Sequence, residues 1–351
     1  MQQWKLIKQL GRNSIKSFVH SSIASNLSHQ YQEFAKVLPW LPQKKNAHRP
    51  HLGVEISNEG IGFALLSDIP ETNAVRLSTC QYIHSVNPAV RAKLLGELVA
   101  RQNLQGAVCN LVLAPSDYKI LLVEAPDVPK EEWPTVVPWR IRDLIPWDVY
   151  SCQVDLIMLP PDAFRGRMNM LYVVVAQQSV IQSRIECATQ AGLVVKKVDI
   201  VELCLRNLLI EKVPANETRA VLFLRNEDGI LILMSGDHIY LTRKINVAIE
   251  DLMQNKIEQD EFYDLLVLEL QRSLDYYESQ VGKGNVPQIL IFPPPFDIKY
   301  GLKYISENMS STIRLMNVHA SFHFDGQMSV RDQNACVPAI GAGLSHRVEG
   351  I

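Results

Sequence analysis

Short apolar runs bounded by turn residues begin at position 51 and continue through most of the chain. Residues 51–57 and 61–66 read as strands joined through Ser57-Asn58-Glu59-Gly60, a segment suited to a tight hairpin turn. The pattern then predicts a helix over 88–103, strands over 108–114 and 118–124, and a helix over 130–145 entered through proline. Residues 171–176 hold three consecutive valines, which suits a strand buried on both faces, and a helical stretch from about 178 to 191 ends at Gly192. The runs 219–225, 230–235 and 239–245 are separated by Asn226-Glu227-Asp228-Gly229 and Ser235-Gly236-Asp237, and they predict an antiparallel meander. A long amphipathic helix follows over 259–281, with Phe262, Leu265, Leu266, Leu270, Leu274 and Tyr277 near helical spacing. A strand at 288–292, a helix at about 298–308 and the small-residue segment Gly341-Ala342-Gly343 complete the pattern. Each half opens on a hairpin or meander and continues into α/β structure, so two related lobes around a cleft are expected.

Residues 1–50 are of another kind. Lys5, Lys8, Arg12 and Lys16 alternate with Trp4, Ile7, Leu10, Ile15 and Phe18, and no acidic residue precedes Glu33. Such spacing can place basic and apolar groups on opposite faces of a helix lying on an anionic membrane, each cation adding about 1 kcal/mol near the headgroups. The same composition fits an extension packed on its own domain or left unordered, and also an organellar transit peptide. Pro39-Trp40-Leu41-Pro42-Gln43-Lys44-Lys45 reads as a linker.

The length of 351 residues favours two domains at roughly 100–200 residues each. With 47% apolar and 21% charged residues the chain should fold, and a net charge of −2 argues against nucleic acid as a main partner. The cysteines at 80, 109, 152, 187, 204 and 336 form no CxxC pair and have no histidine at zinc-finger spacing, so reduced, mostly buried thiols and no metal are expected. No window reaches the ~18 apolar residues of a membrane span, and a cytoplasmic location is expected. Motifs for serine hydrolases, P-loops, zincins and dinucleotide binding are missing. His20, His29, His48, His51 and His84 read as exposed or packed histidines, and Asp251, Glu258, Asp260, Glu261 and Asp264 as the solvated start of a helix.

Four segments in order resemble the PilM-like actin-like proteins of type IV pilus assembly, and among them the MshI branch of mannose-sensitive haemagglutinin (MSHA) pili. Gly53-Val54-Glu55-Ile56-Ser57 stands where the family opens on Gly-Ile-Asp-Ile-Gly. Trp139-Arg140-Ile141-Arg142-Asp143-Leu144-Ile145-Pro146-Trp147 followed by a strand at 152–159 is similar to its middle helix and Tyr-Ile-Pro-Phe segment. A strand, helix and Ala-Gly-Leu turn over 173–198, and Arg272-Ser273-Leu274-Asp275-Tyr276-Tyr277 in the long helix, complete the likeness. The resemblance implies an α/β, actin-like (ribonuclease H-like) two-lobed fold. It divides the chain into a basic extension at 1–50, a first lobe at 51–215 with an inserted subdomain at about 108–172, and a second lobe at 216–351.

It further implies a scaffold held at the cytoplasmic face of the bacterial inner membrane, binding the tail of a PilN-like single-span membrane protein, with the pilus motor ATPase and membrane lipid as further contacts. Trp133, Trp139, Arg140, Ile145, Pro146 and Trp147 suit that peptide, with three of the five tryptophans within 15 residues. The competing view is that these tryptophans pack the subdomain's own core. The nucleotide elements of such a fold look degraded here. In the first hairpin Ser57 replaces a glycine and Glu59 brings negative charge towards the expected phosphates. In the second, Phe223 and Arg225 replace an aspartate and a glycine, although Arg225 could pair with a phosphate. A glycine-rich turn for adenosine is matched by Pro293-Pro294-Pro295, which has neither positive φ nor N–H groups to offer. A pseudo-ATPase without a cofactor is therefore expected; the alternatives are an actin-like protein that binds or hydrolyses ATP with Mg²⁺, a sugar-kinase-like phosphotransferase of the same fold, or a membrane tether.

Overall fold

A computed structural model describes residues 50–348 apart from positions 71, 73, 211, 215, 283 and 325–327. The basic extension at 1–49 lies outside the described residues. Among the described residues no helix is long and apolar enough to cross a membrane.

The first lobe starts with β1 (His51–Ile56), β2 (Gly60–Asp68) and β3 (Val75–His84), an antiparallel meander. Helix α1 (Pro88–Arg101) follows, its start fixed by Pro88 and by the Asn87 side chain, which accepts a hydrogen bond from the Ala89 N–H at 3.0 Å. β4 (Val108–Leu113) returns parallel to β1. Next come β5 (Tyr118–Glu124), α2 (Trp133–Ile141), β6 (Cys152–Met158) and β7 (Met170–Gln177), then α3 (Gln178–Gln190), β8 (Val194–Ile200) and α4 (Val201–Leu209). The second lobe repeats the scheme with β9 (Arg219–Leu224), β10 (Gly229–Ser235) and β11 (His238–Ile245), then α5 (Ile249–Met253), α6 (Gln259–Tyr276), β12 (Gln288–Ile291), α7 (Lys299–Asn308) and β13 (Thr312–Leu315). Two short helices, α8 (Val330–Ala335) and α9 (Val337–Gly343), follow.

The two main sheets have the same construction. One runs β3-β2-β1-β4-β8 and the other β11-β10-β9-β12-β13, each a three-strand antiparallel meander continued by two parallel strands. A smaller sheet, β5-β7-β6, belongs to the inserted subdomain. The repeat expected from the two halves of the sequence is thus present strand for strand. The insert is bounded differently from the expected 108–172. Residues 109 and 111–114 are buried, and β4 is hydrogen-bonded between β1 and β8, so the separate sheet runs from Tyr118 to Gln177.

Several elements were not predicted from the hydrophobic pattern, among them β3, β8, α4, α5, β13, α8 and α9, and two of these omissions have a clear reason. β3 carries Arg76, Ser78, Thr79 and Gln81 among its apolar residues, and α9 is a helix of small residues. The long helix is also narrower in its buried stripe than expected: Phe262, Leu266 and Leu270 are buried, whereas Leu265 is 41% exposed. Its last turn, Tyr277–Val281, is a π turn ending at Gly282 with φ 78°. Glycine is suited to that left-handed stop.

Helix α9 joins the halves of the molecule. It packs on β1, β2, β4 and α4, and an apolar cluster runs from Ala64, Leu66 and Val112 of the first lobe through α4 and α9 to Val221, Phe223 and Ile230 of the second. Close approach is possible because key backbone positions lack side chains. A Cβ at Gly53 would lie 1.8 Å from the Ala339 carbonyl oxygen, and one at Gly341 would lie 2.2 Å from that of Cys204. Gly53, expected at the nucleotide cleft, is therefore part of a helix seat.

Gly53→Ala should destabilise the fold by about 1–3 kcal/mol, the usual cost of overpacking. Gly96→Ala should instead be neutral or stabilising by up to about 1 kcal/mol, because Gly96 lies inside α1 and its Cβ would meet Ala191 at an ordinary 3.6 Å. Urea unfolding of both variants beside the parent checks the contrast.

Candidate functional site

The turn between β1 and β2 closes on itself. The Ser57 hydroxyl accepts hydrogen bonds from the N–H groups of Glu59 at 3.2 Å and Gly60 at 3.1 Å, and the Ser57 N–H donates to the Gly60 carbonyl at 2.9 Å. Arg91 donates to the Ser57 carbonyl from behind. Arg184 donates twice to Asp117, both at 2.9 Å, and once to the Asn58 side chain at 2.9 Å. The N–H groups of Ser57, Glu59 and Gly60 are thus engaged within the turn.

The matching turn of the second lobe meets it. Arg225 reaches Glu55, with Nη1 to Oε1 at 3.5 Å, and Asp228, with Nε to Oδ1 at 3.7 Å. Asn226 donates to Glu59 at 2.6 Å. Two contacts therefore cross the cleft between the lobes at the hairpins expected to hold phosphate. Burial works against the guanidinium charge of Arg225, yet Glu55 and Asp228 hold its pKa above the ordinary value.

Every buried carboxylate around this point already has a partner. Asp117 is held by Arg184, Asp228 also by Lys244 at 3.0 Å, and Asp199 by Lys197 at 3.1 Å. Glu202 accepts from the Tyr118 hydroxyl at 2.5 Å. Burial raises the pKa of Glu202 and pushes that of Glu55 up to about 7. Asp117, Asp228 and Glu202 were not singled out in the sequence. Isolated charges at the ends of apolar runs were the available signal.

Phe223, placed opposite a lost aspartate by the resemblance, points into the core shared by the lobes, where its ring meets Phe292 edge-on at 5.9 Å. Of the triple proline, Pro293 and Pro294 are buried and Pro295 is half-buried. The Pro293 carbonyl accepts from the Asn334 side chain at 3.0 Å, which also donates to the Leu224 carbonyl at 3.1 Å. The segment is a packed connection between lobe and helix.

The aromatic segment of the subdomain divides. Trp133 and Ile145 are buried in the subdomain core with Val137, Ile141 and Val173 and Val175 of β7, and the Trp133 indole donates to the Val128 carbonyl at 3.0 Å. Trp139 is 52% exposed against the edge of Tyr150. Arg140 and Pro146 are exposed, with Arg140 3.5 Å from the Glu124 carbonyl. Trp147 lies half-buried beneath Lys119, 5.9 Å from its ring centre. It lines a groove of about 850 Å³ between the subdomain and the second lobe, walled by Tyr118, Ile120, Tyr172, Leu241 and Tyr276. Of the six residues, Trp133 and Ile145 build the subdomain core, and the other four remain accessible.

No family model and no curated protein matches the chain. Solved structures do. The chain is similar to a structure described as the PilM–PilN type IV pilus biogenesis complex, with 19% identity over 84% of this chain and 97% of that one and a TM-score of 0.66. Weaker likenesses are the cytoplasmic domain of EpsL, an inner-membrane component of the type II secretion system of Vibrio cholerae (12% identity, 82% and 93% coverage, TM-score 0.47), and a protein of actin-like ATPase fold and unknown function from Bacteroides thetaiotaomicron (9%, 81% and 96%, 0.49). With the duplicated sheet order, the first likeness identifies the fold as the two-lobed actin-like one.

The raised pKa of Glu55 gives a pH test. The native state holds the proton more tightly than the unfolded chain, so the contribution to stability is fully present below the ordinary value of 4.5 and is lost as pH rises through about 7. Relative to Glu55→Gln, the parent should lose up to about 3 kcal/mol of unfolding free energy across that window, at about 1.36 kcal/mol per pKa unit. Denaturation curves at several pH values check this, and a constant difference would mean that Glu55 titrates normally.

Proposed function

We propose that this chain is a non-hydrolysing actin-like scaffold of a type IV pilus assembly platform of the MSHA type. In this reading it sits at the cytoplasmic face of the inner membrane, binds the tail of a PilN-like single-span protein, and couples it to the pilus motor ATPase. The observation that carries the proposal is the side-chain bridge across the cleft. Arg225 occupies the space between the two hairpins with Glu55 and Asp228 as its counter-ions, and Asn226 engages Glu59. A nucleotide would have to displace these pairs and bring its own negative charge beside Glu55 and Glu59. The Mg²⁺ ion that accompanies ATP would find its carboxylate ligands already paired.

The partner side rests on the fold likeness and on the subdomain. Trp147 is the accessible tryptophan that lines a groove, and aromatic residues set in such pockets make strong peptide anchors. Trp139, Arg140 and Pro146 offer a second, outward face on the same subdomain. The ATP-binding alternative is favoured by one observation: Lys119, Arg243, Lys244 and Arg272 line the same groove and could receive phosphates.

Two measurements separate these readings. Mg²⁺ with ATP should leave the Tm unchanged, whereas a real site at a thousandfold excess over Kd would add about 4 kcal/mol and raise the Tm clearly. A synthetic peptide of the partner's cytoplasmic tail should bind the chain, and Trp147→Ala should weaken it by about 2 kcal/mol, the threshold for an interface anchor. Arg140→Ala should weaken it as well. Equal affinity of both variants and the parent would remove the subdomain from the docking surface.

A further inference from the structure

We propose that the groove beside Trp147 receives an extended segment of a partner protein, which adds to the open edge of β5 as a fourth strand of the subdomain sheet. That sheet runs β5-β7-β6, so β5 is bonded on one side only. Lys119, Ile120, Leu121 and Leu122 all line the groove. Successive residues of a strand point to opposite faces, so four in a row on one wall mean that the wall is the edge of the strand, with its backbone towards the groove.

The hydrogen bonds of the sheet show which backbone groups are on offer. The Ala125 N–H donates to the Asn169 carbonyl at 2.7 Å, one step beyond the pair of Glu124 and Met170. Bonded and non-bonded pairs alternate along an antiparallel ladder, so Lys119, Leu121 and Val123 bond to β7 while Ile120 and Leu122 turn their N–H and C=O groups outwards. The far side of β7 agrees, since the Met170 carbonyl points to β6 and accepts from the Leu159 N–H at 3.2 Å. No hydrogen bond to the outward groups of Ile120 or Leu122 occurs among the described residues. Backbone donors and acceptors in a half-buried strand call for partners, and an extended chain supplies both at matching spacing. On the opposite wall β11 is an edge strand too, but its Thr242 N–H is donated to the Tyr172 hydroxyl. β5 is therefore the receiving edge.

The walls select the occupant. Side chains of an added strand alternate between two faces. On one face they meet Leu121 and Trp147, which pack on the subdomain core, and on the other Tyr172, Leu241 and Tyr276, which belong with the core of the second lobe. Both faces suit apolar or aromatic residues. Lys119, Arg243, Lys244 and Arg272 outnumber Glu202 and Asp228 in the lining, and those two acids are engaged by Tyr118 and Arg225. The occupant is thus a short peptide, apolar on both faces, that carries a carboxylate. From Tyr118 to Leu122 the edge is about 14 Å long at roughly 3.4 Å per residue, enough for about five residues. That the peptide belongs to the pilus membrane protein rests on the function proposed above; the strand geometry does not.

The test pans a phage-displayed library of random decapeptides against the full chain and takes the most enriched peptide as the probe. Its sequence should combine aromatic or aliphatic residues with an acidic one. When the probe binds, amide hydrogen exchange at Ile120 and Leu122, followed by NMR, should slow by about tenfold or more, while Lys119 and Leu121 are protected already in the free chain. N-methylation of the probe should cut affinity by about tenfold or more at every second residue only, because alternate N–H groups face β5. Ile120→Pro should weaken binding as strongly and still fold, since proline is accepted where the N–H of an edge strand faces outwards. If that variant does not fold, the exchange data decide. Unchanged exchange at Ile120 and Leu122 with the probe bound would overturn the proposal, as would indifference to N-methylation or a library without an enriched peptide. The tail peptide of the proposed membrane partner should displace the probe. A probe that protects β5 yet stays bound against the tail keeps the strand site and removes that partner.

Discussion

The molecule depends on how closely α9 can approach the backbone of the first lobe. A helix ordinarily packs at a distance set by the side chains between it and its neighbour. Here Gly53 on β1 and Gly341 on the helix remove those side chains, and carbonyl oxygens sit where Cβ atoms would be. The consequence is a single apolar cluster in which a helix made late in the chain is covered by its earliest strands and by α4, and which continues into the second lobe through Phe223 and Phe292. The first sheet packs directly on this helix, and the second joins it through the shared cluster. The contacts that define the fold therefore join residues more than 200 positions apart, of which the Asn110 hydrogen bonds to Ala342 and Ser345, 232 and 235 positions away, are examples.

Given that frame, the cleft is arranged around charge. The lobes bring Glu55, Asp117, Glu202 and Asp228 into one region of low exposure, where unpaired carboxylates would be costly. Each has a cation or a donor assigned, and Arg225 is the group that serves both lobes. A position that the resemblance reserves for glycine thus carries the counter-ion for the acids around it. In the proposed reading, the closed nucleotide cleft and the interlobe bridge are two descriptions of the same residue.

Much of the fold was legible because strand and helix periods are local. The two hairpins, the valine-rich β7 and the stripe of Phe262, Leu266 and Leu270 all follow from spacing within a few residues, and the duplication of the lobes follows from their order. What escaped was non-local. β3 is half-buried along most of its length and mixes polar with apolar residues, so it gives no clear alternation. α9 has few large side chains because it needs to come close. The aromatic segment from 133 to 147 looked like one surface, yet a helix turns Trp133 inward and Trp139 outward within two turns. At the cleft, Arg225 and the proline run stood out in the sequence, but not that Arg225 would find Glu55, a residue of the other lobe.

The inserted subdomain also touches the second lobe, at points remote from the cleft. Tyr240 donates to Asp162 at 3.0 Å, the Thr242 N–H to the Tyr172 hydroxyl at 3.1 Å, and Arg165 lies 3.4 Å from the Glu278 carbonyl at the π turn. First lobe, subdomain and second lobe thus meet pairwise. In mechanical terms this is a braced triangle, and a braced triangle has no free hinge. Moving the subdomain would therefore break contacts with both lobes at once, rather than swing one lobe against the other.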